Sequence, residues 1–113
     1  MRKLIALACL ILGALPASAT FLTYAQWSAL PSRDRTLYMA GAFDELISEA
    51  TGTLALKLVR HYSECVASAQ MSDGQLADNV LSFAATQPQL QTSTVPEALV
   101  AYLGKACGLV SAN

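Results

Sequence analysis

Apolar residues recur along this chain every three or four positions, and nowhere in sustained alternation. A period near 3.6 marks one face of a helix, whereas a half-buried strand needs a period of two. No Asn-Gly or Asp-Gly turn joins two β-branched runs, and alanine and leucine predominate, which favours helix throughout.

The helix starts carry their own signals. Thr23-Tyr24-Ala25-Gln26 has the capping-box form T-x-x-Q and predicts a short helix ending before Pro31. Phe21, Tyr24, Trp27 and Leu30 fall three apart along its apolar edge, with Trp27 expected to lid the core. Ser32 is the expected cap of a longer helix reaching about Thr51, with Gly52 as its stop. Met39, Phe43, Leu46 and Ala50 form the expected buried stripe of that helix, widened by Leu37, Tyr38, Gly41 and Ile47. A glycine inside a helix costs about 1 kcal/mol against alanine, so Gly41 predicts close packing of another element. A third helix should start near Thr53 and reach Cys65 or a little beyond, with Leu54, Leu58, His61 or Tyr62, and Cys65 on one face.

Ser72-Asp73-Gly74-Gln75 is a second box, opening a helix that carries Leu76, Val80, Phe83 and Ala84 and stops at Gln87-Pro88. After a polar connection over 87–93, Thr94-Val95-Pro96-Glu97 is a third box. Val95, Leu99, Leu103, Ala106 and Val110 mark the last stripe, and Cys107 lies in that helix's final turns. Short connections favour antiparallel neighbours. The expected fold class is all-α: a small disulfide-stapled bundle of four to five helices.

The first residues read differently. Met1-Arg2-Lys3 is basic, Leu4 to Leu15 is apolar, and Ala17-Ser18-Ala19 is an A-x-A cleavage site. This predicts a Sec-type secretory signal peptide over 1–19, cut between Ala19 and Thr20. A single helical domain over 20–113 would then work in the periplasm. The apolar run is about twelve residues, short of the roughly 18 needed to cross a bilayer, so no membrane association is expected after cleavage. A lipoprotein reading of Cys9 fails because five residues after Lys3 are too few for an apolar core. Cys65 and Cys107 remain, and an even pair in a short exported chain reads as one disulfide. Closing a loop of about 42 residues would contribute roughly 4 kcal/mol by the chain-entropy model.

Composition narrows the partners. The leader inflates the 54% hydrophobic content. Beyond it, Arg33, Arg35, Lys57, Arg60 and Lys105 face eight acids, with no basic cluster for nucleic acid or anionic lipid.

Reactive constellations are weak. His61 and Cys65 stand one helical turn apart, so a Cys–His nucleophile pair is geometrically conceivable, but an oxidising compartment favours the disulfide. His61, Glu64 and Cys65 as metal ligands lack a matching second cluster. Glu45 and Glu49, with Asp44 beside them, could do acid–base work, though a solvated helix face explains them more simply. Ser63 and Ser82 have no histidine-plus-acid context, and phosphate loops, G-x-S-x-G and H-E-x-x-H are absent. No catalytic residue, metal site or cofactor is expected, and the chain is not read as an enzyme. Protein–protein binding remains. The segments 67–74 and 87–93 are candidate surfaces, with ordinary solvent loops as the plainer reading of each, and no individual partner-binding residue is identified.

The order of these pieces resembles the type VI secretion amidase immunity (Tai) family, over about residues 33–108. A secretory leader precedes a helix with Tyr38-x-x-Gly41-x-x-Asp44. Cys65 then precedes Gln75-Leu76-Ala77-Asp78-Asn79-Val80-Leu81-Ser82-Phe83, which ends at Gln87-Pro88-Gln89. Last comes Ala98-Leu99-Val100-Ala101-Tyr102-Leu103, running to Cys107. Phe83-Ala84-Ala85 stands where that family has tyrosine-leucine, and Lys105-Ala106 where it has a phenylalanine-proline-like pair. The resemblance implies a non-enzymatic immunity protein that occludes a secreted peptidoglycan amidase, with homodimerisation an option. A fainter likeness is to acid-stress periplasmic chaperones of the HdeA type, which are also small, helical and closed by one disulfide. The third reading is an envelope accessory protein of unknown partner.

Overall fold

The computed structural model describes residues 21–108 and 110. The expected secretory segment, with its expected cleavage between Ala19 and Thr20, lies outside the described residues. The described chain forms five α-helices: α1 (Tyr24–Ser28), α2 (Ser32–Ser48), α3 (Thr53–Ser68), α4 (Asp73–Ala85) and α5 (Val95–Cys107). A 3-10 turn over Pro88–Leu90 lies between α4 and α5. No strand forms among the described residues, so the fold is a small all-α bundle closed by a Cys65–Cys107 disulfide.

Local chemistry sets most helix starts. Thr23 Oγ1 accepts from the Gln26 N–H at 3.2 Å while Gln26 Oε1 accepts from the Thr23 N–H at 3.1 Å. Ser72 and Gln75 repeat the reciprocal pair at α4, at 3.2 and 2.9 Å. Each pair satisfies donors that a helix start leaves without an intrahelical partner. The third box closes by halves. Thr94 Oγ1 accepts from the Glu97 N–H, but the Glu97 carboxylate accepts from the Thr94 hydroxyl rather than from the cap N–H.

Two expectations about α2 are corrected. Pro31, not Ser32, occupies the cap position, and no side chain caps this helix; Ser32 is its first helical residue. Proline brings a fixed φ suited to the approach, and its carbonyl accepts from Arg35 N–H at 2.9 Å. At the other end α2 stops at Ser48, with Glu49 as its cap. Gly52 instead opens α3, at φ 88°, a conformation that glycine adopts without steric cost.

The core gathers where α2, α4 and α5 meet, with α1 packed on α5 and α3 laid against α2 and α5. Trp27, Met39, Leu76, Val80, Val95, Leu99 and Leu103 are fully buried. Trp27 thus lies inside the core and is no lid on it. Its indole N–H donates to the Arg35 carbonyl at 3.1 Å, so the buried polar end is satisfied. Of the stripe expected on α2, Met39 is buried, Phe43 and Leu46 are partly buried against the core, and Ala50 falls beyond the helix. Leu37 is 61% exposed. On α3 Tyr62 is buried and Leu58 is partly buried against the core, as expected, but Val59 is buried beside them and Leu54 is 74% exposed, so the covered face starts a turn later than expected. On α5, Val95, Leu99 and Leu103 are buried as expected, together with Ala98; Ala106 is exposed and Val110 lies past the helix.

An isolated antiparallel bridge joins the starts of α1 and α5. The Tyr24 N–H donates to the Ser93 carbonyl at 2.7 Å, and the Val95 N–H to the Leu22 carbonyl at 2.9 Å. Phe21 and Leu22 are thereby held beside α2, where the Tyr38 hydroxyl accepts from the Leu22 N–H at 2.8 Å.

Candidate functional site

Of the residues read as reactive, Cys65 and His61 are occupied with holding the fold. Cys65 and Cys107 are bonded to each other, their Cα atoms 5.8 Å apart. His61 Nε2 lies 2.9 Å from the Cys107 carbonyl oxygen and 3.1 Å from that of Gly108. Both partners only accept, so Nε2 carries the proton and His61 caps the last carbonyls of α5. Sequence reasoning placed His61 and Cys65 on one face but missed this capping role, because its partner lies 46 residues away. Among the described residues no group of three or more His, Cys, Asp or Glu stands close enough together to hold a metal ion. No helix among them is long and apolar enough to cross a membrane.

The two candidate loops prove to be tightly built. Half of 67–74 is helical, since α3 runs to Ser68 and α4 starts at Asp73. The turn between them is a Schellman motif: the Met71 N–H donates to the Val66 carbonyl and the Gln70 N–H to the Ala67 carbonyl. Gln70 takes the left-handed position at φ 53°. In the 87–93 connection Leu90 is buried, and Gln91 Nε2–H donates to the Ala84 carbonyl at 2.8 Å. Its polar residues tie the loop down.

Several residues that carry the family resemblance have scaffold roles. Tyr38 anchors Leu22, Gln75 completes a capping box, and Cys65 and Cys107 make the staple. Gly41 and Asp44 are exposed. The close packing expected at Gly41 is absent from the described chain: a Cβ built there would meet nothing within 4 Å. The nearest helix-to-glycine approach is at Gly104, where a Cβ would lie 3.7 Å from the Tyr62 hydroxyl oxygen, in ordinary contact.

What the fold leaves open is an apolar groove on the outer side of α2. Its larger recess, of about 400 Å³, lies between α2 and α3, with Ala42 and Leu46 on one wall and Leu58 and Val59 on the other. Phe21 and Pro96 also line it, and Glu45 and Glu49 bring carboxylates to it. A second recess of about 300 Å³ shares Phe21, Ala42 and Glu45 and continues past Leu37, Tyr38 and Gly41. Among the described residues no lysine or arginine lines either recess. Phe21 is 47% exposed, so two large apolar side chains, Phe21 and Leu37, stand in water at this place. Neither glutamate side chain has a hydrogen bond or ion pair with another described residue. Chemically, the groove offers apolar area and negative charge, with no nucleophile among its described lining residues.

Compared with known protein families, curated proteins and solved structures, the chain matches none.

Proposed function

We propose that this protein is an exported binding protein without catalytic residues: a periplasmic, immunity-type inhibitor that occludes the active site of a secreted peptidoglycan amidase. The observation that carries the binding part is the apolar groove over α2 and α3. Exposed apolar surface that is contiguous and rimmed by polar groups marks interaction sites more often than scattered single side chains do. The groove is set on a rigid frame, since α3 is tied to α5 by the disulfide and by His61. Rigid support lowers the ordering cost of association. A disulfide also suits an oxidising compartment such as the periplasm.

The choice of an amidase rests on the sequence likeness carried by Tyr38-x-x-Gly41-x-x-Asp44, the Cys65 and Gln75 to Gln89 segment, and the terminal Cys107. The acid-stress chaperone reading draws less support. Such a switch needs carboxylates whose protonation loosens the fold, and among the described residues no charged side chain is buried. The test is inhibition. Purified protein is titrated into a secreted amidase encoded beside its gene, and release of soluble fragments from isolated peptidoglycan is followed. Loss of activity saturating near one equivalent is expected; undiminished hydrolysis at a large excess overturns the assignment.

A further inference from the structure

Leu37, Gly41, Glu45 and the cap residue Glu49 follow one another at intervals of four along α2 and its αR cap, so they form a single row on the helix surface. The row is apolar and small at its start and acidic at its end, and both recesses lie along it. We propose that this row receives one amphipathic helix of a protein partner, whose apolar face packs on Leu37, Gly41, Ala42 and Leu46 and whose lysine or arginine side chains meet Glu45 and Glu49. The proposal deepens the binding reading and rests on its premise that the chain acts through its surface.

Three features of the row point to that occupant. Gly41 lowers the stability of α2 without accommodating any described element of this chain. It leaves a flat place where a second helix can approach to the 8–10 Å axial separation of packed helices. Glu45 and Glu49 stand at the carboxyl end of α2, where the helix dipole is negative and no basic residue occupies the last turn. Acids there are electrostatically misplaced in the free protein, and partner cations remove that cost. The cationic end of the incoming helix therefore lies at Glu49. The row from Leu37 to Glu49 spans about 18 Å, or about three turns of a partner helix.

A helix suits the groove better than an extended strand. The described fold has no named strand and so no sheet edge to pair with, and an extended peptide would bring unpaired backbone N–H and C=O groups onto apolar surface. A second copy suits it poorly. Two α2 rows packed antiparallel would set Glu49 against Leu37 and Glu45 against Gly41, desolvating four carboxylates with no cation.

The probe is a fluorescein-labelled, end-capped 18-residue helix with a leucine stripe and lysines in its last two turns. A control peptide carries glutamate in place of each lysine. Saturable binding of the lysine peptide is expected, weakened about tenfold or more in the control and in Glu45→Gln/Glu49→Gln. Gly41→Leu should abolish binding while the thermal melt stays unchanged or rises. Equal binding of both peptides, no saturable binding, or indifference to Gly41→Leu overturns the proposal. So does a dimer, seen by sedimentation velocity, that Gly41→Leu dissolves, since a second copy would then cover the groove. Amidase inhibition is read separately. Inhibition that survives Gly41→Leu sinks the groove alone, whereas peptide binding without inhibition sinks the amidase assignment alone.

Discussion

His61 Nε2 donates to the main-chain oxygen of Cys107 at 2.9 Å, one helical turn along α3 from the cysteine whose sulfur Cys107 shares. Side chain and staple therefore grip the same end of α5 from one face of α3. The hydrogen bond satisfies carbonyls that the helix cannot, and losing a part-buried bond of this kind costs about 1 kcal/mol. His61→Ala and His61→Phe should each lower the melting temperature by about 4–8 °C for a domain of this size. Phenylalanine keeps the ring but has no donor. A normal melt for the phenylalanine variant would show that ring packing, not the cap, is what His61 supplies.

Cys65 and Cys107 should behave as a unit. Their loop of 42 residues implies about 4 kcal/mol from restricting the unfolded chain. Cys65→Ser, Cys107→Ser and the double variant should lose nearly the same stability in urea titrations, because each removes the same bond. Additive losses would mean that the sulfur atoms act separately, against the structure. Under oxidising conditions neither thiol should react with a thiol reagent until the protein is unfolded and reduced.

Alkaline pH should destabilise the fold through Tyr24. Burial pushes its hydroxyl above the usual value of 10.0. That hydroxyl also donates to the Leu81 carbonyl at 2.8 Å, a bond only the protonated form can make. In the unfolded chain the group loses its proton first, so above about pH 10 the unfolded state binds fewer protons and stability falls as pH rises. The contribution is complete below pH 10 and is lost on the way up through the folded-state value. Tyr24→Phe should lose about 1 kcal/mol near neutrality, the worth of the hydrogen bond, and show a shallower alkaline decline than the wild type. Parallel pH profiles for the two proteins would rule Tyr24 out as the source.

Helix starts were legible in the sequence because capping is an affair of neighbours. Thr23 with Gln26 and Ser72 with Gln75 are three residues apart, and each forms both halves of its box. The disulfide was legible because only two cysteines, Cys65 and Cys107, follow the stretch read as a leader. What escaped was which apolar positions would be covered. Leu37 and Leu54 look like core residues at helical spacing, yet both are largely exposed, because a stripe does not say whether the chain supplies a neighbour to cover it. Val59 and Tyr62 are buried on α3 because they face α2 and α5, a relation fixed by tertiary packing. The groove was illegible for the same reason: it needs Phe21, α2 and α3 brought together across the chain. A long-range partner also hid the work of His61, whose polarity read as reactive.

Backbone conformation makes the last prediction, at three positions with opposite signs. Gly41 is inside α2 with open space where a Cβ would go, so Gly41→Ala should stabilise the fold by about 0.5–1 kcal/mol. Gly52 holds φ 88° at the start of α3, and although a Cβ there meets nothing within 4 Å, L residues rarely adopt that angle. Gly52→Ala should therefore destabilise by about 1 kcal/mol, from conformation and not from contact. Gln70 reverses the case, a glutamine at φ 53° where the Schellman turn favours glycine. Gln70→Gly should stabilise by up to about 1 kcal/mol. Space alone would make the two glycine variants alike, whereas conformation sets them apart, so urea midpoints measured side by side decide between the two accounts. A gain at both Gly41 and Gly52 would mean that α3 does not start through the left-handed glycine described, and the groove wall that α3 forms would have to be redrawn with it.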